Sequence, residues 1–138
     1  MTATTKPGPK KLYDFPISGN GYKIRLALAH LGLKCDYEIV DLIARETRTP
    51  DFLAKNPMGQ IPVLELQNGT LLRESNAILW WLTEDTPLMP EGALARTRVL
   101  QWMMFEQSTI DKVLGRTRFL KRWPEFLETT QKDWDGWY

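Results

Sequence analysis

The stretch Ile61-Pro62-Val63-Leu64-Glu65-Leu66-Gln67-Asn68-Gly69-Thr70-Leu71-Leu72, with Glu74-Ser75-Asn76-Ala77-Ile78 just behind it, decides the fold. Ile61 to Leu66 is a short apolar run opened by a proline, and Thr70 to Leu72 is a second, briefer one. Asn68-Gly69 between two apolar runs is a strong hairpin signal. The two runs therefore read as antiparallel strands. From Glu74 the period changes, and Ile78, Leu79 and Leu82 fall on one face of a helix.

Working outward, Leu12-Tyr13-Asp14-Phe15 is strand-like and is cut by Pro16 and the turn-rich Ser18-Gly19-Asn20-Gly21. Ile24, Leu28 and Leu31 then lie at helical spacing beside Ala27, with Gly32 as the stop. Tyr37 and Ile39 give another strand. Strand, helix, strand within about 30 residues is a right-handed βαβ unit with parallel strands. A short polar helix over Pro50–Lys55 follows, closed by Asn56-Pro57-Met58-Gly59. Together with the hairpin and its helix, this order describes a four-stranded mixed sheet flanked by helices: an α/β, thioredoxin-like domain.

The expected organisation is a loose tail over 1–10, this domain over 11–85, a linker over 86–92 and a partial all-α domain over 93–138. Asp85 to Gly92 holds two prolines and a glycine, as linkers do. Beyond it Val99, Met103, Glu106 and Ile110 trace one helical stripe to about Leu114, widened by Leu100, Trp102 and Met104. Such a stripe is more often core than a cofactor box. A second helix is expected from Arg116 to Trp123, restarting after Pro124. Three aromatics in the C-terminal Trp134–Tyr138 call for a surface to dock on.

Composition excludes several classes. Lys plus Arg number 18 against 17 Asp plus Glu, so no basic surplus points to nucleic acid. No apolar run approaches the roughly 18 residues of a membrane span. A single cysteine, Cys35, makes neither an internal disulfide nor a CxxC redox pair, and reads as a small apolar filler. With one histidine, His30, no metal site is expected. A protein of the reducing cytoplasm is the default.

Three places carry chemistry. Ser18 and Asn20 sit where a strand runs into a helix start, a site of unpaired N–H groups and positive dipole. A thiolate there would gain a hydroxyl donor and a favourable field; both residues equally suit simple helix caps. Ile61-Pro62 opens a strand, and only X-Pro bonds are commonly cis. A cis bond would turn the Ile61 backbone toward a peptide-like ligand, whereas a trans proline would be an ordinary strand edge. Glu74-Ser75 opens a helix, where free N–H groups receive a carboxylate and Glu74 an ammonium. A serine cap with a first-turn acid is the plainer alternative.

In order and spacing these segments resemble a bacterial, theta-like glutathione S-transferase. The resemblance is carried by Leu12 to Leu26, then by Phe52 to Leu64 with Asn-Pro-x-Gly-x-x-Pro-x-Leu, and then by Leu72 to Leu82 with Glu-Ser-x-Ala-Ile. It implies that Ser18, assisted or replaced by Asn20, hydrogen-bonds the glutathione thiolate. It implies that Ile61, before a cis Pro62, pairs its backbone with the cysteinyl part, and that Glu74 and Ser75 hold the γ-glutamyl head. Gln60 stands where such members often carry lysine, and Thr47 where they carry histidine. Arg48 is the replacement expected near the glycyl carboxylate. Family members continue through a longer helical domain, so the apolar face over 94–123 is expected to be covered by a partner subunit of a homodimer, with helices exchanged.

The implied function is transfer of glutathione, as co-substrate, to an electrophilic small molecule lodged against the helical segment. A non-catalytic glutathione-binding or protein-interaction module on the same scaffold is the alternative. Thiol–disulfide exchange lacks a cysteine near the first helix.

Overall fold

The computed structural model describes residues 6–126. Strands β1 (Pro9–Asp14), β2 (Asp36–Ile39), β3 (Val63–Leu66) and β4 (Leu71–Leu72) form one sheet in the order β2-β1-β3-β4. β2 runs parallel to β1, β3 antiparallel to β1 and β4 antiparallel to β3, with Leu12 opposite Tyr37 and Leu64, and Leu64 opposite Leu72. Helix α1 (Gly19–His30) makes the crossover from β1 to β2. α2 (Pro50–Lys55) precedes β3, and α3 (Ser75–Thr83) follows β4. This is the thioredoxin-like arrangement that the hairpin and the βαβ unit imply.

The two-residue period of the strands divides the core between the two faces of the sheet. On one face Leu12, Leu64 and Leu66 pack with Ile24, Ala27 and Leu28 of α1 and with Ile78 and Leu82 of α3. On the other, Tyr13 and Val63 pack with Val40 and with Phe52 of α2. Each large apolar side chain so buried contributes roughly 1.5–3 kcal/mol. Cys35 packs partly buried against the first cluster, and burial pushes its thiol up to about 11, so it behaves as apolar filling.

Three boundaries differ from those read in the sequence. β1 begins at Pro9, inside the expected tail, because Pro9 pairs with Leu66 at the strand start, where a missing N–H is tolerated. β3 begins at Val63 rather than Ile61; Pro62 has no N–H to give the ladder, and the Ile61-Pro62 bond is cis. The helix read as continuous to Leu114 is α4 (Ala93–Phe105), then π-helical turns over Glu106–Gly115, then α5 (Arg116–Arg122) and a 3-10 turn at Pro124–Phe126.

The chain divides into two units, Met1–Met89 and Pro90–Tyr138. Within the described part of the second unit, the stripe expected as core is not buried. No residue of α4, the π turns or α5 is buried, and Trp102 and Met104 are 70% and 65% exposed. A stripe is buried only by an opposing layer, and these elements follow one another end to end. The terminal Trp134–Tyr138 lies outside the described residues.

One glycine is held by its surroundings. Gly21 is buried in the first turn of α1, and a Cβ there would run into the carboxylate of Asp14, which has no exposure. Gly21→Ala is expected to destabilise the fold by about 1–3 kcal/mol, the usual range for overpacking. Gly19→Ala, where nothing lies within 4 Å, is the control. Urea unfolding midpoints measure both; equal midpoints would show that the Asp14 carboxylate yields.

Candidate functional site

Sheet topology gathers the three chemistry-bearing segments at one end. β1 finishes there and leads to Ser18. Because β3 is antiparallel to β1, it starts at that same end, just after Ile61-Pro62; because β4 is antiparallel to β3, it finishes there and leads to Glu74 and Ser75. Two helix N-termini, of α1 and α3, therefore face the same end of the sheet, each with unpaired N–H groups and the positive end of its dipole.

At the first, a turn closed by Ser18 N–H donating to the Phe15 carbonyl (2.8 Å) sets Ser18 as the N-cap of α1. Its Oγ accepts from the Gly21 N–H at 3.0 Å. The cap reading of Ser18 thus holds, yet it uses only an acceptor lone pair. The hydroxyl proton is left for a second partner, and the buried Asp14 carboxyl is within its influence.

At the second, Glu74 stands at the N-cap position of α3, with no side-chain capping bond, at φ 66° and ψ 112°, a conformation that L-residues rarely adopt. Arg73, just before it, is tied by Nε to the Lys55 carbonyl at 2.7 Å. Ser75 is 4% exposed, and its hydroxyl donates to Asn20 Oδ1 at 3.1 Å. Asn20 therefore links the two helix starts. Lys23 Nζ reinforces the link by donating to Asn76 Oδ1 at 3.0 Å.

The loop before β3 is built by Asn56, a buried polar residue. Its Oδ1 accepts from Met58 N–H at 3.2 Å and its Nδ2 donates to the Gln60 carbonyl at 2.6 Å, which fixes the approach to Ile61-Pro62. Gly59 has φ 61°, and a Cβ on it would meet Arg48 Nη1 at 2.7 Å and the Thr47 carbonyl at 3.0 Å. The guanidinium of Arg48 thus lies over Gly59, beside exposed Gln60, while Thr47 is buried. Arg48 therefore reaches the residue next to Gln60, and Thr47 is buried.

Comparison with known proteins agrees with this geometry. Residues 12–90 match the family described as glutathione S-transferase, N-terminal domain. The chain belongs to the glutathione S-transferase family. Among solved structures, a possible glutathione S-transferase from Rhodopseudomonas palustris is 50% identical with TM-score 0.77, over 80% of this chain and 54% of that one. A glutathione transferase homolog from Drosophila mojavensis, crystallised with bound glutathione, is 32% identical with TM-score 0.69, over 74% and 48%. A maleylacetoacetate isomerase of Rhizobium meliloti is 40% identical over 91 residues, 64% of this chain and 42% of the relative. The chain thus spans about half the length, or less, of these proteins.

The sequence reading of this glutathione S-transferase domain missed the groups behind Ser18. Asp14, at the end of β1, is fully buried and paired with Arg25 of α1. Burial raises its carboxyl above the ordinary range, while the Phe15 N–H, the Arg25 charge and the Tyr37 and Ser18 hydroxyls pull the other way. An acid closing a strand directly after Leu12-Tyr13, with an arginine on the following helix, was the available signal. Among the described residues no cluster of His, Cys, Asp or Glu is arranged to hold a metal, and no helix is long and apolar enough to cross a membrane.

Proposed function

We propose that the first unit binds glutathione across this end of the sheet, that its thiol ionises beside Ser18, and that the thiolate attacks an electrophilic small molecule. A sulfur–carbon bond forms as the electrophile's leaving group departs with its bonding pair, or, at a conjugated double bond, as the π pair shifts away from the attacked carbon and takes up a proton. The observation that carries the reading is the convergence of Ser18, Ile61-Pro62 and Glu74-Ser75 at one sheet end, with the two helix starts joined by the Ser75–Asn20 hydrogen bond.

Each position then has a task set by its chemistry. Glu74 meets the γ-glutamyl ammonium, and Ser75 with the α3 N-terminus meets the adjacent carboxylate. Ile61 offers its backbone to the cysteinyl peptide unit ahead of Pro62. Arg48 faces the glycyl carboxylate with a charge, and Gln60 adds a neutral donor. Asn20 positions Ser75. The protein works as a cytoplasmic homodimer in which a second subunit covers apolar residues of the helical unit. Bound glutathione in the Drosophila mojavensis relative supports the choice of thiol.

A second reading has its own support in the identity to a maleylacetoacetate isomerase. There the same thiolate would add reversibly to a conjugated double bond, permit rotation about it, and leave again. Calorimetry with glutathione, followed by product analysis with a chloronitrobenzene and with a cis-enone acid, separates the readings. Conjugate that consumes glutathione supports transfer; isomerised acid with glutathione recovered supports the second. Binding without either product leaves a non-catalytic glutathione module, and absence of binding overturns the proposal.

A further inference from the structure

Arg25, in the second turn of α1, reaches back to the loop that precedes its own helix. Its Nη2 donates to the Pro16 carbonyl at 2.9 Å, and its Nη1 serves both Asp14 Oδ2 and the Tyr37 hydroxyl oxygen, the latter at 3.0 Å. The Tyr22 and Tyr37 rings flank the guanidinium, 5.9 and 5.8 Å from their centroids. One side chain thus binds the end of β1, the β1–α1 loop and the edge strand β2.

The carboxylate it meets is unusually placed. Asp14 has no exposure, and its Oδ2 takes both the Arg25 guanidinium and the Tyr37 hydroxyl. The carboxyl lies directly beneath Gly21, and it is the Gly21 N–H that donates to Ser18 Oγ. A negative charge therefore sits behind the hydroxyl proposed to meet the thiolate, close enough for that hydroxyl to pull the carboxyl's pKa down. Left unbalanced, it would oppose a second negative charge at Ser18 and offset the field of the helix start. Tyr37 is the other titratable group facing it, and burial pushes that phenol upward, so it stays neutral. The compensating charge in contact with the carboxylate is Arg25.

We propose that Arg25 is a positioning residue for the thiol site, fixing the loop that presents Ser18 and cancelling the charge of the Asp14 carboxylate behind it. This rests on the reading that Ser18 meets the glutathione thiol. The consequence is a pair of opposite effects. Removing the cation while the carboxylate remains disfavours the thiolate, and removing the carboxylate while the cation remains favours it.

The test is an ultraviolet titration of thiolate in glutathione-saturated protein, for the wild type, Arg25→Met, Asp14→Asn and the double variant. Arg25→Met is expected to raise the thiol midpoint by about one pH unit, and Asp14→Asn to lower it. The double variant, with no buried charge, is expected near the wild type. A merely structural role would move both single variants in the same direction. Equal or same-direction shifts overturn the inference while leaving glutathione binding intact; loss of binding in the wild type itself overturns the underlying reading. Should Arg25→Met fail to fold with its carboxylate unpaired, Asp14→Asn decides alone: a lower midpoint supports the inference, and an unchanged or higher one overturns it.

Discussion

Ser18→Ala is expected to lower turnover of glutathione with a chloronitrobenzene by about a hundredfold, with kcat and kcat/KM falling together. The magnitude follows from removing one preorganised donor to a developing anion, which typically costs 10²–10³ in rate. The geometry supplies the reason. Ser18 Oγ is held at 3.0 Å by the Gly21 N–H, so the hydroxyl is fixed before any thiol arrives and pays little to donate. Its loss leaves the rest of the glutathione contacts in place, so KM for glutathione should change little, while the bound thiol's pKa rises. The same change deletes the N-cap of α1, which costs about 1 kcal/mol of stability. Ser18→Thr keeps both the oxygen and its proton and should recover most of the rate. An unchanged pH–rate profile in Ser18→Ala would remove Ser18 from the chemistry and return attention to Asn20.

The elements readable from sequence were those specified locally. Asn68-Gly69 can do little but turn, and Leu66 N–H to Thr70 carbonyl at 2.8 Å and Gly69 N–H to Leu66 carbonyl at 2.9 Å show the hairpin closing there. The ends of elements were legible for a related reason: Ser18, Pro62, Glu74 and Ser75, the candidate site residues, all occupy such ends, where a residue's backbone role is visible in its type. What stayed hidden depends on distance in space. Asp14 and Arg25 are eleven residues apart, with no common period, and nothing in the order of letters says that Gly21 lies over a carboxylate. Asn20 was legible as polar and well placed, but its partner, Ser75, is fifty-five residues away. The π turns at Glu106–Gly115 were hidden differently, since apolar spacing hardly separates a helix with i→i−4 bonds from one slightly wider. The edge position of β2 also escaped: Tyr37 and Ile39 look like core residues, and both are exposed.

Strain is where stability and function are expected to part. Glu74 holds φ 66° and ψ 112° although it is not glycine, and such conformations cost of order 1–3 kcal/mol. Nothing in the packing of α3 asks for glutamate: Ile78 and Leu82 anchor the helix, and Arg73, bound to the Lys55 carbonyl, fixes the approach. On the proposed reading, this strained and exposed residue, adjacent to a buried serine, is held there for its contact with the γ-glutamyl ammonium. Glu74→Gly is therefore expected to raise the thermal midpoint, with a gain of about 1 kcal/mol from released strain after the extra entropy of glycine in the unfolded chain. The same change is expected to weaken glutathione binding by about a hundredfold, because a charge-assisted contact to the γ-glutamyl ammonium is worth about 1.5–3 kcal/mol. Glu74→Gln separates the two effects: it keeps the strain, so its midpoint should stay near the wild type, and it loses the charge, so its affinity should fall almost as far. Differential scanning calorimetry and isothermal titration on the same three proteins read both quantities. A glycine variant that binds as tightly as the wild type would show that the strain serves the backbone path into Ser75 and not the carboxylate of Glu74.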